Sequence, residues 1–438
     1  MRLQEFSFGN FRSFKEINTL NLSAAKIKSK HKSIDTKNVI RGGNIENTSF
    51  LKSKVIYGSN ASGKSNVVKA FTAFFKIIRN SVKDDKILNM IDSFRLSTET
   101  ENEPSFFQII FWDQGIKYRY GFELDDEKIY SEWLYGKPRE RELCYFIREG
   151  KQIIELDKTN FSEGDKLRTL LFDENAEENE IFRENSLFLS TLATFGFAKL
   201  SKQLIESISS SYIISGLGHQ GMFAFAGESL SDDEKKKYIL DFLKYGDTGI
   251  EDLEAIEISF DDLPSDLDDD VKKDLGKSKK RKLLISSRKK FGSNNEFIEN
   301  EGFSFGLHES EGTQKLFELS PFIYQALKEK KTIIIDEFDA RFHPLLTKKI
   351  LELFNSEQNE GAQLIIITHD TNLLSSDLLR RDQIEFVEKD KYGASHLYSL
   401  VQFKGIRNNA TFEKDYIQGK YGAIPFLGNF NKILNFAE

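Results

Sequence analysis

The chain has 438 residues, 39% hydrophobic and 30% charged, with only six prolines, a composition that fits a folded soluble protein of two or three structural units and excludes long linkers. A net charge of −7 gives no overall attraction to nucleic acid or anionic membranes, and one cysteine, Cys144, excludes an internal disulfide and a Cys-based metal site. No apolar run approaches the roughly 18 residues of a membrane span, and Met1-Arg-Leu-Gln-Glu-Phe6 has no apolar signal core; a cytoplasmic protein with no membrane partner is expected.

Residues 3 to 14 alternate apolar and polar side chains as an opening strand and then break into Asn10-Phe-Arg-Ser-Phe14. From Ser23 to Asn47 the sequence is polar and aperiodic, which predicts a long surface loop. Phe50 to Tyr57 reads as a buried strand, and Asn66 to Ile78 places apolar residues at helical spacing. Between them stands Gly58-Ser-Asn-Ala-Ser-Gly-Lys-Ser65, with Asn66 next. Two glycines five apart let the backbone turn its N–H groups into one concavity, a lysine can reach outer phosphates, and a serine hydroxyl can ligate magnesium. This is the P-loop pattern in its strand-to-helix setting. It predicts ATP and Mg2+ as cofactors, with Gly58, Ser59, Asn60, Ala61, Ser62, Gly63, Lys64, Ser65 and Asn66 as nucleotide-binding residues and Ser65 also as a metal ligand.

Beyond the helix, Ser105 to Trp112, Ile116 to Phe122 and Lys128 to Leu134 are strand-like and separated by turns, which predicts an antiparallel meander. Gln108 is the strand glutamine it offers. Lys166 to Phe172, Asn185 to Phe195, Ala198 to Ser210 and Asp233 to Tyr245 have helical periodicity without sustained heptads, so a compact helical insertion over 159–250 is expected rather than a coiled-coil arm. Residues 252–260 and 282–290 return to strand, and 302–307 follow them. An acidic stretch, 261–270, precedes a basic run, 272–290. The run reads either as a DNA contact or as a solvated loop feeding a strand, and the strand character of Leu283-Leu-Ile-Ser-Ser287 favours the second.

Thr332-Ile-Ile-Ile-Asp-Glu-Phe-Asp339 is a buried strand delivering two carboxylates to its tip. Asp336 there can hold magnesium through water, and Glu337 can polarise the water that attacks a γ-phosphate. Just upstream, Glu309-Ser-Glu-Gly-Thr-Gln-Lys315 opens a helix. Ser310 reads either as a plain N-cap or, with Gly312, as part of an anion site at the helix N-terminus. After a helix from Leu345 to Phe354, the strand Ala362 to Ile367 ends in Thr368-His369.

Taken together, these motifs resemble ABC-type ATPase heads of the RecF, SMC and OLD group. The implied fold is α/β: a mixed central sheet with flanking helices, an antiparallel β meander and a helical insertion, with head segments 1–158 and 251–438 on either side of 159–250. In such heads the Asn10–Phe14 pentapeptide lies beside the P-loop, so the resemblance implies a phosphate contact for Arg12. It also implies that Ser310 and Gly312 meet the γ-phosphate on another subunit's P-loop, that His369 is the γ-phosphate switch and that Glu337 is catalytic. A homodimer or higher homo-oligomer through the heads follows. The tail, from Arg380 to Pro425, resembles the RloA and AbiL-type ATPases, related to AriA of the PARIS phage-defence system. That resemblance implies a sensor or regulator of a separately encoded effector, such as a nuclease, with no room after His369 for a TOPRIM nuclease domain. A RecF-like repair ATPase that binds DNA directly and a non-catalytic ATP-dependent scaffold are the alternatives.

Overall fold

The computed structural model describes residues 1–41, 48–171, 183–218, 220–259, 280–407, 410–425 and 427–429. The described chain divides into two compact units, Met1–Ile214 with Glu329–Phe338 and Thr347–Glu438, and Ser215–Lys328 with Asp339–Leu346.

The first unit opens with strand β1 (Arg2–Gly9), β2 (Asn18–Asn21), helix α1 (Lys32–Lys37) and the short strands β3 (Val39–Arg41) and β4 (Ser49–Leu51). Strand β5 (Ser53–Gly58) leads into α2 (Lys64–Asn80). The meander follows as β6 (Ser105–Asp113), β7 (Ile116–Leu124), β8 (Ile129–Lys137), β9 (Leu143–Glu149) and β10 (Gln152–Leu156), then α3 (Ser162–Leu171), α4 (Phe188–Leu192), α5 (Lys199–Ser209) and β11 (Tyr212–Ser215). The second unit holds α6 (Gln220–Ser229), α7 (Asp233–Tyr245), the antiparallel strands β12 (Asp252–Ser259), β13 (Lys280–Phe291) and β14 (Phe297–Ser304), α8 (Phe305–His308) and α9 (Glu311–Glu329). The chain then supplies β15 (Thr332–Asp336), α10 (Pro344–Phe354), β16 (Gln363–Ile367), β17 (Ile384–Lys389), β18 (Ser395–Ser399) and α11 (Phe412–Ile417).

Two sheets organise the first unit. One is antiparallel, in the order β10-β9-β8-β7-β6-β1-β2; the other runs β11-β15-β16-β5-β17-β18, with β15, β16, β5 and β17 mutually parallel. Parallel strands bury both faces, which is why Val55-Ile-Tyr57, Ile333-Ile-Ile335 and Leu364-Ile-Ile-Ile367 are continuous apolar runs. Helix α2 buries apolar residues over most of its circumference and leaves Lys69, Lys76 and Arg79, at helical spacing, on an exposed stripe. Its Phe71 stacks on Phe6 of β1 at 3.9 Å and its Phe74 on Phe122 of β7 at 5.2 Å, while Ile334, Ile365 and Val387 of the parallel sheet join the same core. Gln363, fully buried on β16, ties the sheets together: its amide donates to the Leu3 carbonyl and its oxygen accepts from the Leu3 N–H.

The predicted meander is present and longer by two strands. Its far end is closed by a buried polar knot. Glu132 on β8 accepts hydrogen bonds from the N–H groups of Phe188 and Leu189 at the start of α4, from Tyr120 and from Arg148, and both charged residues are inaccessible to solvent. Burial pushes the Glu132 carboxyl up and the Arg148 guanidinium down. Breaking such a pair from one side leaves an uncompensated buried charge. Glu132→Ala is therefore expected to lower unfolding stability by about 3–5 kcal/mol, read by urea titration, and Arg148→Met in that background should recover part of the loss. Cys144 lies on β9, and burial pushes its thiol up to about 12, which leaves it a poor nucleophile.

Three expectations change in detail. The segment 23–47 is not all loop: α1 and β3 bury Ile34 and Ile40, and the Asn38 amide donates to Gln383 Oε1 and the Leu378 carbonyl. The helix expected over Asn185–Phe195 is the five-residue α4. The compact second unit begins at Ser215, whereas Leu167, Leu192, Leu204 and Ile208, read as part of an insertion over 159–250, share the core of the first. The acidic stretch 261–270 and the start of the basic run, including Lys277 and Lys279, lie outside the described residues.

Candidate functional site

Strand β5 is buried along its whole length and ends at Gly58, where the P-loop begins. Val387 of β17 pairs with Gly58, and its carbonyl would lie 2.4 Å from a Cβ placed there, so only glycine fits. Ala61 and Gly63 have φ of +60° and +107°, and the backbone between them curls into the concave turn that directs N–H groups inward. A Cβ at Gly63 would meet Ser395 Oγ at 2.4 Å and Ser13 Oγ at 2.6 Å. Helix α2 starts at Lys64, whose buried ammonium donates to the carbonyls of Gly58 (2.9 Å) and Ser59 (2.8 Å), and so is held across the mouth of the loop.

The loop is braced from outside by two serines. Asn66 Nδ2 donates to Ser13 Oγ at 2.8 Å, and Ser395 Oγ donates to the Ser62 carbonyl at 2.6 Å while lying 2.8 Å from Ser13 Oγ. The Ser395 N–H donates to the Ser13 carbonyl at 2.6 Å. The Asn10–Phe14 pentapeptide therefore lies against the P-loop, through Ser13. Arg12, with φ of +53°, donates its N–H to the Asp92 carbonyl and lays its guanidinium over Phe11 at 5.6 Å; it is not among the residues that line the cleft described next.

A cleft of about 470 Å3 opens over the C-terminal ends of the four parallel strands. Its walls are Asn60 to Asn66 after β5, Asp336 and Glu337 at the end of β15, Ile367 and His369 at the end of β16, and Lys389 at the tip of β17. Ligands of open parallel sheets collect at that edge because loops leaving adjacent strands diverge there and leave a crevice. Asp336 Oδ1 accepts from the Glu337 N–H at 3.0 Å, and Glu337 sits at φ of +51°, a left-handed conformation that costs a non-glycine residue roughly 1–2 kcal/mol. The turn is held by the Phe338 N–H on the Ile367 carbonyl. Next to His369, Asp370 accepts from Thr347 Oγ1 at 2.8 Å and its carbonyl accepts from the Tyr57 hydroxyl at 3.0 Å, which fixes the end of β16 while the His369 ring stays exposed. A cradle of backbone N–H groups and an ammonium after β5, facing two carboxylates at the end of β15, suits a polyphosphate with a divalent cation. Among the described residues no group of three or more His, Cys, Asp or Glu is arranged to hold a metal alone. Ser65 and Asp336 both line this cleft, where an ion would find its remaining ligands in phosphate and water.

Ser310 and Gly312 belong to the second unit. Ser310 Oγ accepts from the Thr313 N–H at 3.1 Å, so it caps α9. A Cβ at Gly312 would stand 2.8 Å from the Arg341 carbonyl, and Glu311 pairs with the Arg341 guanidinium at 3.2 Å. Lys315 donates to the Ala340 carbonyl at 2.5 Å, so the start of α9 is fastened to the segment that follows Glu337-Phe338 in the chain. Gln108 on β6 accepts from Trp133 Nε1 at 3.1 Å and lies outside the cleft lining. In the described part of the basic run, Arg288 pairs with Glu309, Lys289 with Glu251 and Lys290 with Glu301, so these cations already face carboxylates. Among the described residues no helix is long and apolar enough to cross a membrane.

Sequence reasoning missed Ser13 and Ser395 as braces and Lys389 as a wall of the cleft. Ser13 stands inside the Asn10–Phe14 pentapeptide without being singled out there, while Ser395 and Lys389 sit in no motif of their own and reach the loop through strand register.

Comparison with solved structures finds the SMC head domain from Thermotoga maritima at 12% identity and a TM-score of 0.41, covering 91% of this chain and 99% of that one. An SMC head bound to the C-terminal winged-helix domain of ScpA aligns at 13% identity and a TM-score of 0.40, over 91% of this chain and 97% of that one. A third, the Pyrococcus furiosus SMC head with an extended coiled coil bound to the C-terminal domain of ScpA, gives 14% and 0.38, over 96% and 99%. No curated protein matches the chain. A family profile matches residues 55–375, from the P-loop strand to beyond His369. With its P-loop and Asp336-Glu337 converging on one cleft, the chain belongs to the family described as "AAA domain, putative AbiEii toxin, Type IV TA system".

Proposed function

We propose that this chain is a Mg2+-dependent ATPase head that pairs with a second copy around ATP and regulates a separately encoded effector. The observation that carries the reading is the cleft, which gathers the P-loop, Asp336, Glu337 and His369 from three parallel strands. The inward N–H groups of Ser59 to Ser65 would hold the β-phosphate, and Lys64, released from the carbonyls of Gly58 and Ser59, would reach the outer phosphates. Mg2+ held by Ser65 and, through water, by Asp336 would neutralise charge on the β- and γ-oxygens. Glu337, placed by its left-handed backbone one residue past the strand, would accept a proton from the attacking water, and His369 would donate a hydrogen bond to the γ-phosphate.

The partner copy would complete the site through Ser310 and Gly312 at the N-terminus of α9, where a side chain in place of Gly312 would meet the Arg341 carbonyl. The effector role, the anti-phage setting and the placement near the RloA and AbiL-type ATPases rest on the tail resemblance. Hydrolysis of ATP by the purified protein tests the reading: turnover in Mg2+ that falls to background in excess chelator and returns with added Mg2+ is expected. Turnover indifferent to the chelator would contradict it.

A further inference from the structure

The Asn60–Asn66 loop, Asp336, Glu337, Ile367 and His369 account for every wall of the cleft except one charged residue. Lys389 is the last residue of β17, the strand that flanks β5 on the side away from β16. From the geometry we propose that Lys389 is a second phosphate cation, acting within the same chain and contacting the terminal phosphate of the bound nucleotide.

Register sets its direction. Lys389 is paired directly with Ser395 across the antiparallel β17–β18 ladder. Residues directly opposite in such a ladder project from the same face of the sheet, with their Cβ atoms about 5 Å apart. Ser395 reveals which face that is, because its hydroxyl donates to the carbonyl of Ser62 inside the P-loop. The Lys389 side chain therefore leaves the sheet on the P-loop side, and its four-carbon stem carries the ammonium into the cleft.

The backbone beneath it is fixed. Val387 pairs with Gly58, and the Ser395 N–H donates to the Ser13 carbonyl. The turn joining the two strands is closed by Asp390, which accepts from the N–H groups of Tyr392 (2.8 Å) and Ala394 (2.9 Å) through one oxygen and lies 3.1 Å from His396 through the other. The neighbouring carboxylate is thus occupied by the turn and by His396. Among the described residues no carboxylate comes within ion-pair distance of the Lys389 ammonium. An exposed lysine on a braced hairpin tip, aimed into a cleft, has its charge available for a ligand.

The charge balance of the cleft indicates which ligand. Its walls carry Asp336 and Glu337 against Lys64, and with the proposed Mg2+ at Asp336 the Glu337 carboxylate still faces the polyanion that the P-loop is shaped to receive. A second ammonium offsets one carboxylate. It shares the cleft with Glu337 and His369, the groups that face the reacting end, so it acts where charge builds on the transferred phosphoryl group. This inference rests on the ATPase reading above.

The test compares wild type, Lys389→Ala and Lys389→Arg for ATP and ADP affinity by calorimetry and for steady-state hydrolysis, with thermal unfolding as a check on the fold. Expected for Lys389→Ala are a tenfold or greater weakening of ATP binding, a less than twofold change for ADP and at least a tenfold fall in kcat, with substantial recovery in Lys389→Arg. Equal losses for ATP and ADP, or affinities and turnover matching wild type, would overturn the role of Lys389 while leaving the ATPase reading in place. A wild-type protein that binds neither nucleotide would overturn both.

Discussion

Lys64→Ala is expected to remove measurable ATP binding and leave the protein folded. The Lys64 ammonium is buried at the mouth of the P-loop and held by the carbonyls of Gly58 and Ser59. A phosphate oxygen is a stronger acceptor for it than a neutral carbonyl, so binding exchanges weaker hydrogen bonds for charge-assisted ones. Truncation deletes that gain and leaves Asp336 and Glu337 facing the polyphosphate with one fewer cation. A loss of about 3 kcal/mol, or more than a hundredfold in affinity, is the scale for removing hydrogen bonds to a charged group in a partly enclosed site. Calorimetric titration with ATP reads it directly. Affinity within a factor of three of wild type would contradict the phosphate assignment of the loop.

Glu337→Gln is expected to separate binding from turnover. The carboxylate is half-buried, held at a left-handed φ, and preceded by Asp336, whose own carboxylate accepts the Glu337 N–H. The amide keeps the shape of the side chain and loses the proton acceptor. General-base removal lowers kcat by roughly 10²- to 10⁴-fold, while ATP affinity should stay within a few-fold of wild type because the P-loop is untouched. Chemical quench of a single turnover measures the first effect and calorimetry the second. A variant that hydrolyses ATP at the wild-type rate would assign the base elsewhere, and a variant that loses affinity along with rate would make Glu337 a binding residue.

The parts of the candidate site legible in the sequence are those whose chemistry is contiguous. Gly58 to Asn66 declares itself because a phosphate cradle is built from one stretch of backbone, and Asp336-Glu337 does so because an apolar strand ending in two acids has few other uses beside such a loop. His369 was legible only as the end of a strand, and its place in the cleft follows from β16 lying next to β5. Ser395 and Lys389 were not legible, since each reaches the P-loop through pairing between strands more than three hundred residues apart in the chain, and Ser13, within the pentapeptide expected beside the loop, meets it through side-chain bonds that the sequence does not show. The segment 23–47 misled for a related reason: one of its polar residues, Asn38, is buried against Gln383 and Leu378, and propensity does not show where a polar side chain finds its partners. Helical periodicity placed α5 and α7 correctly along the chain but carried no information on the core each one joins, so the division at Ile214 could not be read from it.

Light scattering of the Glu337→Gln protein with and without ATP and Mg2+ tests most directly whether nucleotide joins two heads. A twofold rise in mass on adding ATP, absent with ADP and abolished by Gly312→Leu, is the predicted result, because the P-loop of one chain would then be closed by the Ser310–Gly312 turn of another. The same mass in all conditions, with ATP shown to be bound, would contradict it.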